Sequence, residues 1–175
     1  PGAGSQFGLG DVVQSFFFAP KPVALSGNAS FIFGIGPVFL LPIGTDDFLT
    51  SGKWGAGPTA VGLVQSGPWT VGALANHIWS FAGNSNRDDV NATLLMPFIS
   101  YTTPNAISFS LNTESTYNWE DTEWSVPINF GVSKLTRIGT QPVSFGVGAR
   151  YWAETTPGGP EGWGATFTTT YLFPK

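Results

Sequence analysis

The sequence predicts an all-β chain, an antiparallel up-and-down transmembrane β-barrel with about nine strands, and three observations predict it. The first is strict alternation of apolar and polar residues from Ile107 to Ile138, turning over once at Asp121-Thr122. Ile107, Phe109, Leu111, Tyr117 and Trp119 share one face of the first arm; Ser108, Ser110, Asn112, Glu114, Thr116, Asn118 and Glu120 share the other. In the return arm Trp124, Val126, Ile128, Phe130 and Val132 oppose Ser125, Asn129, Gly131 and Ser133. A period of two means paired strands. A polar face with few charges, behind an apolar face that ends in Trp, is the pattern of a hairpin with lipid on one side and a lumen on the other.

The second observation is composition. Only 10% of the 175 residues are charged, 15% are aromatic and 23 are Gly, which fits neither an ordinary soluble surface nor a disordered chain. No apolar run reaches the roughly 18 residues of a transmembrane helix, whereas a barrel strand needs only ~9–11. Backbone groups in lipid must then be satisfied between strands, which requires a closed sheet. With no Cys, disulfides, thiolate metal sites and Cys nucleophiles are excluded. A net charge of -4 argues against nucleic acid as a partner. One domain, 1–175, is expected.

Taken in order, strands are expected near 8–19, 31–42, 55–65, 69–82, 91–103, 107–120, 124–138, 142–155 and 163–173. Gly34-Ile35-Gly36-Pro37 and Gly55-Ala56-Gly57-Pro58 read as one element used twice, with a bend or bulge. The connections alternate between mostly tight turns (65–68, 104–106, 139–141) and generally longer acidic loops (43–54, 83–90, 121–123, 156–162). Pro20 to Ser30 belongs to the turn set but is long for it. The third observation is that Trp54, Trp79, Trp119, Trp124, Trp152 and Trp163 all fall beside the acidic loops, with Trp69 alone at the other rim. Such a ring suits the boundary between hydrocarbon and headgroups. Charge sorts the same way. Asp46, Asp47, Asp88, Asp89, Glu120, Asp121, Glu123 and Glu161 belong to the Trp-rich rim, and Lys21, Lys134, Arg137 and Lys175 lie toward the turns.

Nine is odd, whereas single-chain bacterial barrels use even numbers with both termini periplasmic. An odd number of strands is therefore expected ahead of Pro1, unless the count of nine is out by one or several chains share one barrel. The start at Pro1, with no signal peptide, reads as a processed or truncated product.

The segments Phe7 to Phe18, Gly36 to Pro42, Lys53 to Ala60, Ala75 to Phe81, Asn112 to Tyr117, Trp124 to Asn129 and Leu172-Phe173-Pro174-Lys175 resemble a bacterial outer-membrane family. It is the MetA-pathway-of-phenol-degradation type, often labelled "transporter" and sometimes neuromedin U. The resemblance covers essentially the whole chain. It implies a Gram-negative outer-membrane location, further strands before the Phe-Gly-Leu-Gly-Asp segment to make about twelve, and small, hydrophobic or aromatic solutes.

On the residues themselves, Glu114 and Arg150 fall on polar strand faces, where they would either tune a lumen constriction or pair to brace the wall. Val143, Phe145, Val147, Ala149 and Tyr151 face away from Ser144, Gly146, Gly148, Arg150 and Glu154. Asn112, Glu114, Asn118, Asn129, Arg150 and Glu154 are thus the lumen candidates. His77, the single histidine, is either a ligand contact or a hydrogen-bonded wall residue. Asp46-Asp47 and Asp88-Asp89 could offer oxygens to Ca²⁺ or Mg²⁺, although solvated charge near divalent-bridged lipopolysaccharide is the plainer reading. A Ser-His-acid triad could draw only on His77, and no Gly-x-Ser-x-Gly elbow occurs. No enzyme activity and no cofactor are expected. The expected function is passive uptake of small solutes, with the bilayer, lipopolysaccharide and the solute as partners. A structural barrel without transport and a soluble ligand-binding β-barrel are the alternatives.

Overall fold

The computed structural model describes residues 8–47 and 49–173; Pro1, Phe7, Pro174 and Lys175, named above, lie outside them. The described chain is a single antiparallel sheet. Its strands are β1 (Val12–Ser15), β2 (Val23–Ala24), β3 (Ala29–Leu41), β4 (Lys53–Ser66), β5 (Trp69–Gly83), β6 (Asn91–Thr102), β7 (Ile107–Thr113), β8 (Ser115–Asn118), β9 (Glu123–Ile138), β10 (Gln141–Glu154) and β11 (Gly162–Tyr171). The order β1-β3-β4-β5-β6-β7-β9-β10-β11 follows the chain. Two short strands lie off this path, β2 on β3 and β8 between β6 and β9. Among the described residues no ladder joins β1 to β11.

Three expectations change in detail. The first strand is only four residues long and continues as a bridge from Phe18 to Ile35. The long Pro20–Ser30 connection is explained by β2, which folds back onto β3 through Val23↔Phe31 and Ala24↔Ser30. The expected strand at 107–120 is interrupted at Glu114. Its register runs unchanged through the break, with Asn112↔Asn129 and Thr116↔Ser125 on the β9 side. Glu114 donates its backbone N–H to Pro127 O at 3.3 Å, and Pro127 has no N–H to return. One missing donor divides β7 from β8.

Cα pairing sorts side chains between two faces. One face is apolar across the whole sheet and exposed: Ile35, Val71, Trp79, Leu95, Leu111, Phe130, Val147 and Phe167 belong to it. The opposite face divides. From β7 to β11 it carries Ser110, Asn112, Glu114, Asn129, Arg150, Thr166 and Thr168; from β3 to β6 it carries Val38, Leu40, Leu63, Leu74, Ile78, Leu94 and Met96. Val38, Leu40 and Ile78 are buried together, with Val90 against them. On this second face neighbouring strands approach closely at two glycines. A Cβ added at Gly36 would overlap Phe16 O, and one at Gly57 would overlap His77 O, so the neighbouring backbone already occupies the side-chain position. Only glycine permits that approach.

Candidate functional site on the inner face

Alternation and register build the site together. Asn112, Asn129 and Arg150 lie side by side on β7, β9 and β10, and Glu114 is two residues beyond Asn112 on the same face. Arg150 donates from Nε to Asn129 Oδ1 at 2.5 Å and from Nη2 to Glu114 Oε2 at 2.8 Å. The ion pair therefore spans three strands, with Asn129 between its partners. The Arg150 guanidinium also lies 5.6 Å from the Trp152 ring, within cation–π range. Both charged side chains are partly enclosed, at 30% and 39% exposure. Beside them is a cavity of about 370 Å³. Gly131, Gly146 and Gly148 leave it room, and Ser110, Ser144, Thr166, Thr168 and Thr170 supply hydroxyls. Two amide atoms at its wall, Asn112 Oδ1 and Asn129 Nδ2, are buried and make no hydrogen bond among the described residues.

Three other candidates lie away from the Arg150 cluster. Asn118 is on the inner face, but its amide holds the hairpin turn, donating to Asp121 Oδ2 at 2.7 Å and accepting the Glu120 N–H at 3.0 Å. His77 is on the apolar face, because it pairs with Thr93 while Asn76 pairs with Leu94. It forms a wall cluster there. Its Nδ1 is 2.7 Å from Thr93 Oγ1, which also accepts the Trp119 indole N–H at 2.8 Å, and its ring lies 4.0 Å from that of Trp79. A bulge between Trp152 and Glu154 sets Glu154 opposite Val126, which removes it from the Arg150 side. The tryptophans need one correction as well. Trp79, Trp119, Trp124 and Trp163 are on the apolar face and exposed, as is Trp54, but Trp152 shares the inner face with Arg150 because an even number of residues separates them.

The acidic loops do not gather into a metal site. Among the described residues no group of three or more His, Asp or Glu forms one. Asp89 accepts from Lys53 Nζ at 2.8 Å and Ser80 Oγ at 3.1 Å. The Lys53 bond foremost, with that of Ser80 and the lysine charge, lowers the Asp89 carboxyl below the usual value. Asp47 is 4.0 Å from Arg87. Lys53 and Arg87 were missed as members of this rim, although they are the cations nearest the acidic pairs in sequence. Asp11 was missed entirely. It stands just before β1 and gathers the loop after β3, accepting from Gly44 N at 3.2 Å, Thr50 Oγ1 at 2.6 Å, Ser51 N at 2.7 Å and Ser51 Oγ at 2.6 Å. Partial burial pushes its carboxyl upward, but these four bonds together outweigh that and leave it below the usual value. The Gly-Leu-Gly-Asp segment ahead of a strand is the only sequence signal for it.

Comparison with family models, curated proteins and solved structures finds no match to this chain.

Proposed function

We propose that this chain forms the wall of a bacterial outer-membrane β-barrel through which small solutes cross passively. The observation that carries this reading is the division of the sheet. One face presents exposed large apolar side chains on all the long strands but β4, where Trp54 alone is large and exposed, and the other carries an ion pair, amides and hydroxyls from β7 to β11. Such a sheet satisfies lipid on one side and water on the other. The tryptophans beside the acidic loops support the same placement. So does the family resemblance read from the sequence, which also implies hydrophobic or aromatic solutes. The inner face suits an amphipathic solute, since apolar side chains from β3 to β6 oppose polar ones from β7 to β11. Solute would slide between the two halves, with Glu114 and Arg150 at the polar side of the path.

One observation favours a barrel that only braces the membrane. Glu114 and Arg150 neutralise one another across three strands, as a structural strut would. Planar-bilayer recordings separate the two readings. A channel gives stepwise conductance that shifts in ion preference when Glu114→Gln leaves Arg150 unpaired. A silent bilayer containing correctly folded protein overturns the transport reading. A chain that stays monomeric and soluble without detergent overturns the membrane reading itself.

A further inference from the structure

Toward the turns the inner face changes character. On β9, β10 and β11 the lining of the cavity beside Arg150 ends at Ser133, Ser144 and Thr170, and the next positions on that face are Leu135, Pro142 and Leu172. Register keeps them together, since Ser144 pairs with both Leu135 and Thr170, and Pro142 pairs with Arg137. Three adjacent strands thus exchange hydroxyls for apolar side chains at one level. With Ala106, Arg137 and Phe173 these residues line a second cavity, of about 590 Å³. Hydrogen bonds at the strand ends brace its frame. Leu135 donates its N–H to Ala106 O at 3.0 Å, Leu172 donates its N–H to Pro142 O at 3.1 Å, and Gln141 Nε2 donates to Leu172 O at 2.6 Å.

Leu135, Leu172 and Phe173 remain exposed within this frame, so the cavity presents uncovered apolar surface. Its charge is one-sided. Arg137 is the single charged residue of the lining, and among the described residues it makes no ion pair. The nearest described carboxylate along these strands is that of Glu114. It lies level with Pro127, ten residues back along β9 from Arg137 and so roughly 33 Å away, and it already pairs with Arg150. A guanidinium is weakly hydrated and meets a carboxylate through two parallel bonds. An occupant with an anionic head and an apolar body therefore answers both parts of the cavity, whereas a neutral one leaves Arg137 to water. We propose that this cavity at the turn rim is a seat for small amphiphilic anions, with the carboxylate on Arg137 and the apolar body against Leu135, Pro142 and Leu172. Its volume is in the range of small-molecule pockets. The inference goes beyond the channel reading and does not depend on it, because the seat can fill whether or not solute crosses.

The test is equilibrium dialysis of the purified full chain in a non-ionic detergent at neutral pH and low ionic strength, against radiolabelled octanoate and its neutral counterpart octanamide, with protein-free micelles as the blank. Octanoate should bind roughly five-fold more tightly than octanamide, the scale of one partly exposed ion pair, and the difference should shrink as salt is added. Arg137→Gln should bring octanoate down to the level of octanamide. Leu135→Ser, or Leu172→Ser if the first prevents folding, should weaken both probes. Lys134→Gln removes the next cation of β9 on the opposite face and should leave the preference unchanged. Equal binding of the two probes, or a loss in Lys134→Gln as large as in Arg137→Gln, overturns the seat, because only diffuse charge would then be acting. Binding no greater than to the blank overturns it as well. Neither result touches the channel reading, which stands or falls on conductance.

Discussion

A methyl group at position 57 would fall on the His77 carbonyl oxygen, so Gly57→Ala has to displace the backbone of β5 rather than a side chain. We expect it to destabilise the fold by about 1–3 kcal/mol or more, read as a lower urea midpoint of the protein folded in detergent. Asp11 offers a second single-residue test. Its folded pKa lies below its unfolded value, so the stability it contributes is present above the unfolded pKa of roughly 3.9 and is lost as pH falls through the folded value. Cleavage within the loop between β3 and β4 by an acid-tolerant protease should therefore accelerate below about pH 4. Asp11→Asn should make cleavage fast at neutral pH and nearly independent of pH, since its amide cannot reproduce the charged acceptor. Asp11 was not legible as a partner of that loop, because residues 33 to 40 positions apart carry no periodic trace of one another.

Strand periodicity predicted the long strands closely, most plainly from β7 to β11, where apolar side chains on one face alternate with polar ones on the other. The division of β7 from β8 was not legible for a definite reason. Apolar and polar residues stay in phase from Asn112 to Asn118, and the cause lies across the ladder at Pro127. Pro127→Thr should restore the missing donor and join β7 to β8. Slow amide exchange at the new residue and a gain of about 1 kcal/mol would show it; rapid exchange there would mean that more than one donor is missing. The bulge after Trp152 hid another outcome. It adds a residue without interrupting the pattern, so Glu154 counts as inner-face in sequence while standing opposite Val126 in the sheet. The Glu114–Arg150 pair was legible only as two residues on polar faces. Their contact depends on the stagger of β7, β9 and β10, which no single strand encodes.

For the whole molecule, the sorting of tryptophans by rim was legible in the chain, but their sorting by face needed register. Brominated lipids test both together. In single-Trp variants, bromine placed high on the acyl chain should quench Trp54, Trp79, Trp119, Trp124 and Trp163 strongly and Trp152 weakly, since Trp152 shares the inner face with Arg150. Equal quenching of all six would contradict the facial assignment. Charge sorting was legible only in part, because Lys53 and Arg87 sit among the acidic loops and pair there. The sheet order, which follows the chain with no crossover, also bears on assembly. Each long ladder joins neighbouring segments, and the tight turns at Gly67 and Gly139 hold the backbone in the left-handed region that such reversals require. A hairpin can then settle its own register before the next one arrives, so loop-closure entropy stays small at each step. The sheet can grow by adding one hairpin at a time to an existing edge, each addition hiding the backbone groups that the previous one left open. Asp11, which clasps a loop more than thirty residues away, is then a late fastening on a wall already raised.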